Sequence, residues 1–299
     1  MNKNKVVAFI LIVIAALIAI YPTLGTLYNN KRLDDLSEEY QDKISVEPLV
    51  NTNKEALDRA EEYNEWLKAH PFTPPPIGQD YTHEEYSRYD GILKEPNNTM
   101  GTITIPDIDV RLPIYHGTAG DTLYKGAGHL YGTALPVGGQ GQTSVITAHS
   151  GMVDASMFDN LPKLKPGQKA YIQVRDRKLA YVMVDSKTVS PDATDAIPHD
   201  DRDLLVLITC TPYGINTSRL VVTLERTELD DEEIPQTSNS VRTWQWWMTA
   251  LVVLWGLLIL VFVVFYRRDK RRASATKRPV AQRRRVVVSP AENADSIRL

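Results

Sequence analysis

The chain of 299 residues contains a single cysteine, Cys210, whose sequence context is that of a reactive residue. An apolar run, 204–208, leads through a threonine to Cys210, and a Pro-Tyr-Gly turn follows it. Arg219 then opens the next apolar run. Because short apolar runs form buried strands and Pro and Gly mark turns, we expect Cys210 at one strand end and Arg219 at the start of a neighbouring strand. A thiol facing a guanidinium could perform covalent catalysis, in which the cation stabilises the developing oxyanion.

A second β-branched run, 145–147, also ends at a residue that can do chemistry, His149. An imidazole beside a thiol moves protons during nucleophilic catalysis. The alternative is that a lone cysteine is merely a small buried hydrophobe, but the combination with His149 and Arg219 favours catalysis. His116 and His129 lie in glycine-bearing turns, where a structural or surface role is expected.

These residues resemble the signature of the sortases, the transpeptidases of Gram-positive cell surfaces. The stretch Cys-Thr-Pro-Tyr-Gly-x-Asn-Thr-x-Arg at 210–219 resembles the class C, pilin-polymerising branch in particular. Short motifs between Gly101 and Gly151 also have counterparts in that family. The resemblance covers roughly residues 55–228 and implies a mainly β fold, a closed eight-stranded β-barrel.

The resemblance also implies a reaction and a role for each residue. Cys210 would cleave a Leu-Pro-x-Thr-Gly (LPXTG) sorting signal between Thr and Gly and keep the acyl group as a thioester. His149 would exchange protons with the leaving and incoming amines, and Arg219 would hold the oxyanion and the substrate. Thr209 and Thr211 would assist substrate binding. We expect no cofactor, since the sequence shows neither a metal-ligand cluster nor a phosphate-binding glycine loop.

The chain departs from the family pattern at several places. Val206 stands where the family usually has threonine, and Ser150 where this branch commonly has arginine. Class C enzymes usually carry an Asp-Pro-aromatic lid over the active site, and His70-Pro71-Phe72 is the nearest match. Either this segment is a lid with Phe72 at its tip, or the stretch 71–76 is a rigid proline spacer.

The identity of the acceptor separates the alternative functions. The leading hypothesis is a pilin lysine, which would make the protein a pilus-assembling transpeptidase. A peptidoglycan-precursor amine would make it a housekeeping sortase of the cell wall, and water would make it a cysteine peptidase. The non-enzymatic alternative is a membrane-tethered binding domain, whose function would survive Cys210→Ala.

Two apolar runs indicate membrane anchoring. Val6–Ile20 follows two lysines, and Trp246–Tyr266 is long enough to span a bilayer and is followed by arginines and lysines. The positive-inside rule makes both termini cytoplasmic and the catalytic domain extracellular. The first run favours an uncleaved anchor over a signal peptide, because no clear cleavage site follows it.

The tail 267–299 carries 11 Lys or Arg against 3 Asp or Glu, while the whole chain has a net charge of −3. The outer region is therefore strongly acidic, which argues against a nucleic-acid partner.

The expected organisation has six parts and seven strands recognisable from the sequence. The parts are an anchor (1–29), a helical and lid-like region (30–98), the barrel (99–228), a linker (229–243), a transmembrane helix (244–266) and a basic tail (267–299). The expected strands are 102–105, 110–114, 143–148, 169–174, 179–189, 204–209 and 219–226.

Overall fold

The computed structural model describes residues 3–45, 50–79, 84–94, 98–193, 196–198, 201–229, 234–235 and 246–276. Within these residues the α-helices are α1 (Lys3–Ser45), α2 (Val50–Ala69), α3 (Glu84–Asp90), α4 (Gly120–Lys125) and α5 (Trp246–Thr276). The strands are β1 (Thr99–Ile105), β2 (Val110–His116), β3 (Ala127–His129), β4 (Thr143–Thr147), β5 (Lys169–Val174), β6 (Arg177–Val189), β7 (Leu204–Thr211) and β8 (Ser218–Thr227). Most of the expected linker and the expected tail beyond residue 276 lie outside the described residues.

The strands form a closed barrel in the order β1-β2-β3-β4-β7-β8-β6-β5, which confirms the expected eight-stranded fold. Neighbouring strands are antiparallel, except that β2 pairs with β3 and β4 with β7 in parallel. Strand β3 is not among the expected strands, because its three residues lie in a glycine-bearing segment whose composition is typical of a turn. Gly128 is required there: a Cβ atom at this position would lie 2.3 Å from the carbonyl oxygen of Gly117.

Strand β7 is apolar on both faces, as a strand covered on two sides must be. Leu205 and Leu207 point into the main core inside the barrel. Val206 and Ile208 point outward into a smaller cluster. We call this outer cluster the apolar floor; its buried members are Leu130, Val145, Ala196, Val206, Ile208 and Val221.

Helix α2 packs an amphipathic face against the barrel. Its buried face carries Leu57, Ala60, Asn64 and Leu67, and the helix ends before Pro71, which cannot continue it. The Asn64 side chain is only 2% exposed and makes two hydrogen bonds with Leu135. Its Nδ2 donates to the Leu135 carbonyl at 3.0 Å, and its Oδ1 accepts from the Leu135 amide at 2.7 Å.

Helices α1 and α5 contain the two apolar segments of the described chain that are long enough to span a membrane. Their apolar side chains are mostly exposed, as lipid-facing side chains are, so both helices are compatible with membrane anchoring. The chain divides after Met248, so that α1–α4 and the barrel belong to one compact unit and α5 from Thr249 onward to a second.

We expect Asn64→Ala to destabilise the protein, because it leaves the buried amide of Leu135 without a partner. It also removes one of the two hydrogen bonds that the Leu135 carbonyl accepts, the other coming from the Val137 amide at 2.8 Å. The unpaired amide costs about 1–3 kcal/mol, which lowers the Tm by roughly 2–12 °C in a domain of this size. Thermal unfolding of the full chain in detergent micelles measures the shift. The control is Glu62→Ala on the exposed face of α2, and an equal Tm for the two variants would contradict the role of the Asn64 pair.

Candidate active site

Strand register brings Cys210, His149 and Arg219 together at one end of the barrel. In the parallel pair, Thr147 of β4 lies beside Ile208 of β7. His149 follows Thr147 by two residues, and Cys210 follows Ile208 by two residues. In the antiparallel pair of β7 and β8, Cys210 lies directly opposite Arg219. Residues in register on neighbouring strands share a face, so Cys210 and Arg219 project from the same side of the sheet. His149 lies two residues beyond the end of β4, and the strand alternation continued past Thr147 points it to that same side.

That side is the outer face of the barrel, at the edge of the apolar floor. Cys210 has the same parity along β7 as Val206 and Ile208, which belong to the floor. Arg219 has the same parity along β8 as Val221, another floor residue. The three polar side chains therefore lie at the end of an apolar surface, where an extended peptide could place its own apolar side chains.

The three residues are all partly exposed. Burial lowers the pKa of His149, which favours the neutral imidazole. Arg219 Nη1 donates to the carbonyl oxygens of Ser218 and Asn216 at 3.2 and 3.4 Å. Within the described part of the chain no carboxylate forms an ion pair with Arg219, which leaves its charge available to a bound anion.

Buried hydroxyls and amides hold the segment that carries His149. Thr209 Oγ1 donates to the carbonyl of Ala148 at 2.8 Å, and the Phe158 amide donates to the carbonyl of His149 at 3.0 Å. Thr209, expected from the resemblance to bind substrate, is buried and directs its hydroxyl to this backbone. Thr211 is half-buried and lies opposite Ser218, one residue beyond the pair of Cys210 and Arg219.

Asp159 is a further contributor to this loop that the sequence analysis missed. Its Oδ1 accepts a hydrogen bond from the Gly151 amide at 2.7 Å, and its carboxylate also accepts one from the Ser150 side chain. Burial raises the pKa of Asp159 to about 7, although these hydrogen bonds and Lys163 lower it in part. Ser150, the residue at which the chain departs from the branch pattern, is thus a partner of this buried acid.

Side chains of helix α1 form hydrogen bonds with the loop that follows His149. Asn30 and Ser156 exchange two hydrogen bonds: Asn30 Nδ2 donates to the Ser156 hydroxyl at 3.0 Å and the Ser156 amide donates to Asn30 Oδ1 at 2.9 Å. Closer to the N-terminus, Thr26 Oγ1 and Asn29 Nδ2 donate to the carbonyls of Val153 and Asp154 at 3.2 and 2.9 Å. The loop after His149 is therefore fixed to the helix that contains the first apolar segment.

His116 and His129 are buried and bonded to the protein backbone. His129 Nε2 donates to the carbonyl of Ala134 at 2.8 Å, and its Nδ1 accepts from the Tyr89 hydroxyl, also at 2.8 Å. His116 Nε2 donates to the carbonyl of Ile92 at 2.6 Å. Burial lowers the pKa of His116 to about 4 and that of His129 to about 3, so both stay neutral and structural. Among the residues that the structure describes, no group of three His, Cys, Asp or Glu side chains is arranged to hold a metal ion.

The segment 70–79, which contains the expected lid, runs from the end of α2 to the apolar floor. His70 stacks on Trp66 with ring centroids 5.3 Å apart. The Phe72 ring lies 5.2 Å from that of Tyr131 and packs over Gly132, where a Cβ atom would come within 2.8 Å of it. Farther along, Ile77 packs against the apolar floor itself. The structure therefore puts Ile77, which the sequence analysis did not consider, on the surface that leads to Cys210.

We expect the buried carboxyl of Asp159 to make stability depend on pH. The folded protein retains this proton between about pH 4 and pH 7, whereas the unfolded chain releases it. The stabilising contribution is therefore complete below about pH 4 and is lost as pH rises to about 7. Asp159→Asn removes the titration, so the Tm of the variant relative to wild type should rise over this range and level off above it.

Thermal unfolding from pH 4 to pH 8 tests this expectation. Asp176→Asn is the matched control, because Asp176 is exposed and its substitution should leave the wild-type pH profile unchanged. A Tm difference between Asp159→Asn and wild type that does not vary with pH would show that Asp159 does not titrate as described.

The chain is similar to known proteins of one family. The family model described as the sortase domain matches residues 103–227. Sortase A of Streptococcus agalactiae is 30% identical over 132 residues, which cover 42% of this chain and 52% of that protein. The chain spans between 52% and 60% of the length of the first three curated relatives that it matches.

The similar solved structures are mostly sortases named C. Sortase C-1 of Actinomyces oris is 42% identical, with a TM-score of 0.57, over 60% of this chain and 99% of that one. Sortase C1 of Streptococcus agalactiae is 33% identical, with a TM-score of 0.59, over 66% and 100%. A lid mutant of sortase A of Corynebacterium diphtheriae is 39% identical, with a TM-score of 0.55, over 60% and 96%. With the barrel, the register of its site residues and these near-complete matches, the chain belongs to the sortase family.

Proposed function

We propose that the protein is a class C-like sortase, a cysteine transpeptidase that cuts an LPXTG-type sorting signal between Thr and Gly and joins the new carboxyl end to an amine. One observation carries the proposal: Cys210, His149 and Arg219 project from one face at the ends of three adjacent strands. These are the nucleophile, the proton carrier and the oxyanion-binding cation that acyl transfer requires. The apolar floor beside them suits the Leu and Pro side chains of the signal.

The chemistry proceeds in two acyl transfers. The thiol proton passes to the neutral imidazole of His149 as Cys210 Sγ attacks the Thr carbonyl carbon. Arg219 stabilises the negative charge on the carbonyl oxygen in the tetrahedral intermediate. The intermediate collapses as His149 gives its proton to the departing Gly amine, which leaves a thioester on Cys210.

The second transfer reverses the proton movements. An acceptor amine attacks the thioester carbon while His149 takes a proton from it, and Arg219 again stabilises the oxyanion. Breakdown of this intermediate releases Cys210 as the leaving group and forms the new amide bond. The thioester stores the energy of the cleaved bond, so no cofactor is needed for ligation.

The proposed acceptor is a lysine side chain of a pilin. The support is the similarity to pilus-related sortases, such as the pilus-related sortase C of Group B Streptococcus, which is 34% identical with a TM-score of 0.54. The strongly acidic outer region favours an approaching amine over an anionic partner. A peptidoglycan-precursor amine is the competing acceptor, and water would give hydrolysis.

The proposed location is the cell membrane, crossed twice. Helix α1 and helix α5 supply the two apolar segments, and the basic residues outside each segment favour a cytoplasmic location for both termini. The barrel between them then lies outside the cell, where it meets sorting-signal proteins held on the same membrane.

We also propose that the segment 70–79 is a lid. The support is Ile77, which packs against the apolar floor that a sorting signal would occupy. Phe72, on Tyr131 and Gly132, would fix the start of the segment, so the lid and the substrate compete for one apolar surface.

Intact-mass spectrometry of the full chain incubated with an LPXTG peptide tests the acyl-enzyme step. We expect a mass increase equal to the acyl fragment in wild type and none in Cys210→Ala. Arg219→Ala should slow acylation by about 10²–10³-fold, as removal of an oxyanion donor does. The control is Arg202→Ala, because Arg202 pairs with Glu225, which lies six residues along β8 from Arg219, toward the other end of that strand. An adduct on Cys210→Ala would refute the assignment, and adding lysine-containing or peptidoglycan-like amines to the wild-type adduct would identify the acceptor.

The lid proposal predicts that Ile77→Ser exposes Cys210. Loss of the half-buried contact should shift the opening equilibrium by about 1 kcal/mol, or roughly five-fold. The rate at which iodoacetamide alkylates Cys210 measures opening without any substrate. Val184→Ser, at an exposed position on β6, is the matched control. Equal alkylation rates for wild type and Ile77→Ser would show that the segment does not cover the thiol.

A further inference from the structure

Exposed apolar side chains surround the catalytic end of the barrel. Tyr124 of α4 is 59% exposed and Val153, in the loop after His149, is 63% exposed. In the turn between β7 and β8, Tyr213 is 38% and Ile215 68% exposed. We call these four residues the apolar rim. Scattered apolar side chains are ordinary on a protein surface, but a cluster of them marks an interaction site.

The rim is continuous, because the loops that carry it touch one another. A Cβ atom on Gly151 would lie 2.8 Å from the amide nitrogen of Gly214, so the loop of Val153 lies against the turn of Tyr213 and Ile215. On the other side, the Tyr124 hydroxyl donates to the carboxylate of Asp154 at 2.8 Å.

The contacts of the rim with helix α1 indicate where the rim would lie along the membrane normal. A span that begins at Val6 and needs about 20 residues to cross about 30 Å of hydrocarbon ends near Gly25. The next residue, Thr26, bonds to the carbonyl of Val153, and Gly25 itself approaches Asp154. The rim therefore meets α1 where the helix leaves the membrane.

The opposite end of the barrel meets α1 much farther along the helix. The Tyr40 hydroxyl accepts a hydrogen bond from the Arg175 amide, in the turn between β5 and β6. Tyr40 is 14 residues beyond Thr26, or about 21 Å along a helix with a rise of 1.5 Å per residue. The catalytic end of the barrel thus faces the membrane, and the β5–β6 turn faces away from it.

The surroundings of the rim are those of a membrane interface. Trp247, which begins the second apolar segment in the sequence, donates its indole N–H to the Tyr213 hydroxyl at 3.2 Å. Trp and Tyr are the residues that occupy the interface between lipid and water. Of the nearby acidic side chains, Asp121 pairs with Lys125 at 3.4 Å, and the Asp154 carboxylate accepts a hydrogen bond from the neutral Tyr124 hydroxyl.

We propose that the apolar rim inserts into the headgroup region of the bilayer that α1 crosses, so that Cys210 works at the lipid surface. The partner is the lipid bilayer, and the inference rests on the membrane topology proposed above. Polypeptides tethered to the same membrane would then reach Cys210 without rising above its surface, whereas free peptides would have to enter a narrow gap.

Site-directed spin labelling of the full chain tests this docking without requiring catalysis. The background is Cys210→Ala, which removes the native thiol, and the chain is reconstituted in phosphatidylcholine–phosphatidylglycerol vesicles. Each variant carries one introduced cysteine, to which a spin label is attached. The four substitutions are Val153→Cys and Ile215→Cys in the rim, Asp176→Cys in the β5–β6 turn, and Leu17→Cys in the apolar segment of α1. Collision rates with oxygen, which concentrates in lipid, and with a nickel chelate, which stays in water, report where each label lies.

We expect the labels at 153 and 215 to favour oxygen over the nickel chelate several-fold more than the label at 176. The label at 17 should favour oxygen most. If the label at 17 lies in lipid while the labels at 153 and 215 have the same oxygen-to-nickel collision ratio as the label at 176, the membrane topology is supported and the docking proposal is wrong. A water-exposed label at 17 would overturn the topology and the docking together, and rim labels shielded from both reagents would indicate a protein contact in place of lipid.

Discussion

The site depends on the parallel pairing of β4 with β7. Two chain segments about 60 residues apart end side by side, and this alone puts His149 next to Cys210. A slip of one residue would turn one of the two side chains into the barrel, because successive side chains point to opposite faces. The register is secured by the burial of Ile146 and Leu207 on the inner face and of Val145 and Val206 on the outer face. The packing that fixes the register of β4 against β7 therefore also fixes the positions of His149 and Cys210.

The sequence allowed the strands to be predicted more completely than their arrangement. Seven of eight strands were located by their β-branched runs, and β3 was missed because it depends on pairing with β2 and β4 and not on its own composition. The motif around Cys210 indicated Cys210 and Arg219, and the separate β-branched run 145–147 indicated His149; the fold brings the three to one end of the barrel. Asp159 escaped notice because its role arises from a bond to Gly151 across a loop, which no local pattern reveals. Ile77 escaped it because nothing in the segment 70–79 shows which side chain reaches the barrel.

The apolar floor explains why a covering segment belongs in this fold. Strand β7 is apolar on both faces, so its outer face would be open to water without a cover. Ile77 and residues of the β6–β7 connection provide that cover in the resting protein. In the proposed function, the same surface would bind the apolar part of a sorting signal. Stability of the free protein and affinity for substrate would then depend on the same buried area, and a substrate would bind by displacing a favourable contact.

Helix α1 would join the proposed membrane anchor to the loop after His149 more directly than a flexible tether would. The side chains of Thr26, Asn29 and Asn30 bond the loop that follows His149, immediately beyond the apolar segment of the helix. A flexible linker would leave the barrel free to rotate above the membrane, whereas a continuous helix bonded at several points holds one orientation. It follows that a soluble fragment beginning at residue 30 loses two of these bonds with the anchor. Differences in activity between such a fragment and the full chain would then report on the support of His149 as well as on access to lipid.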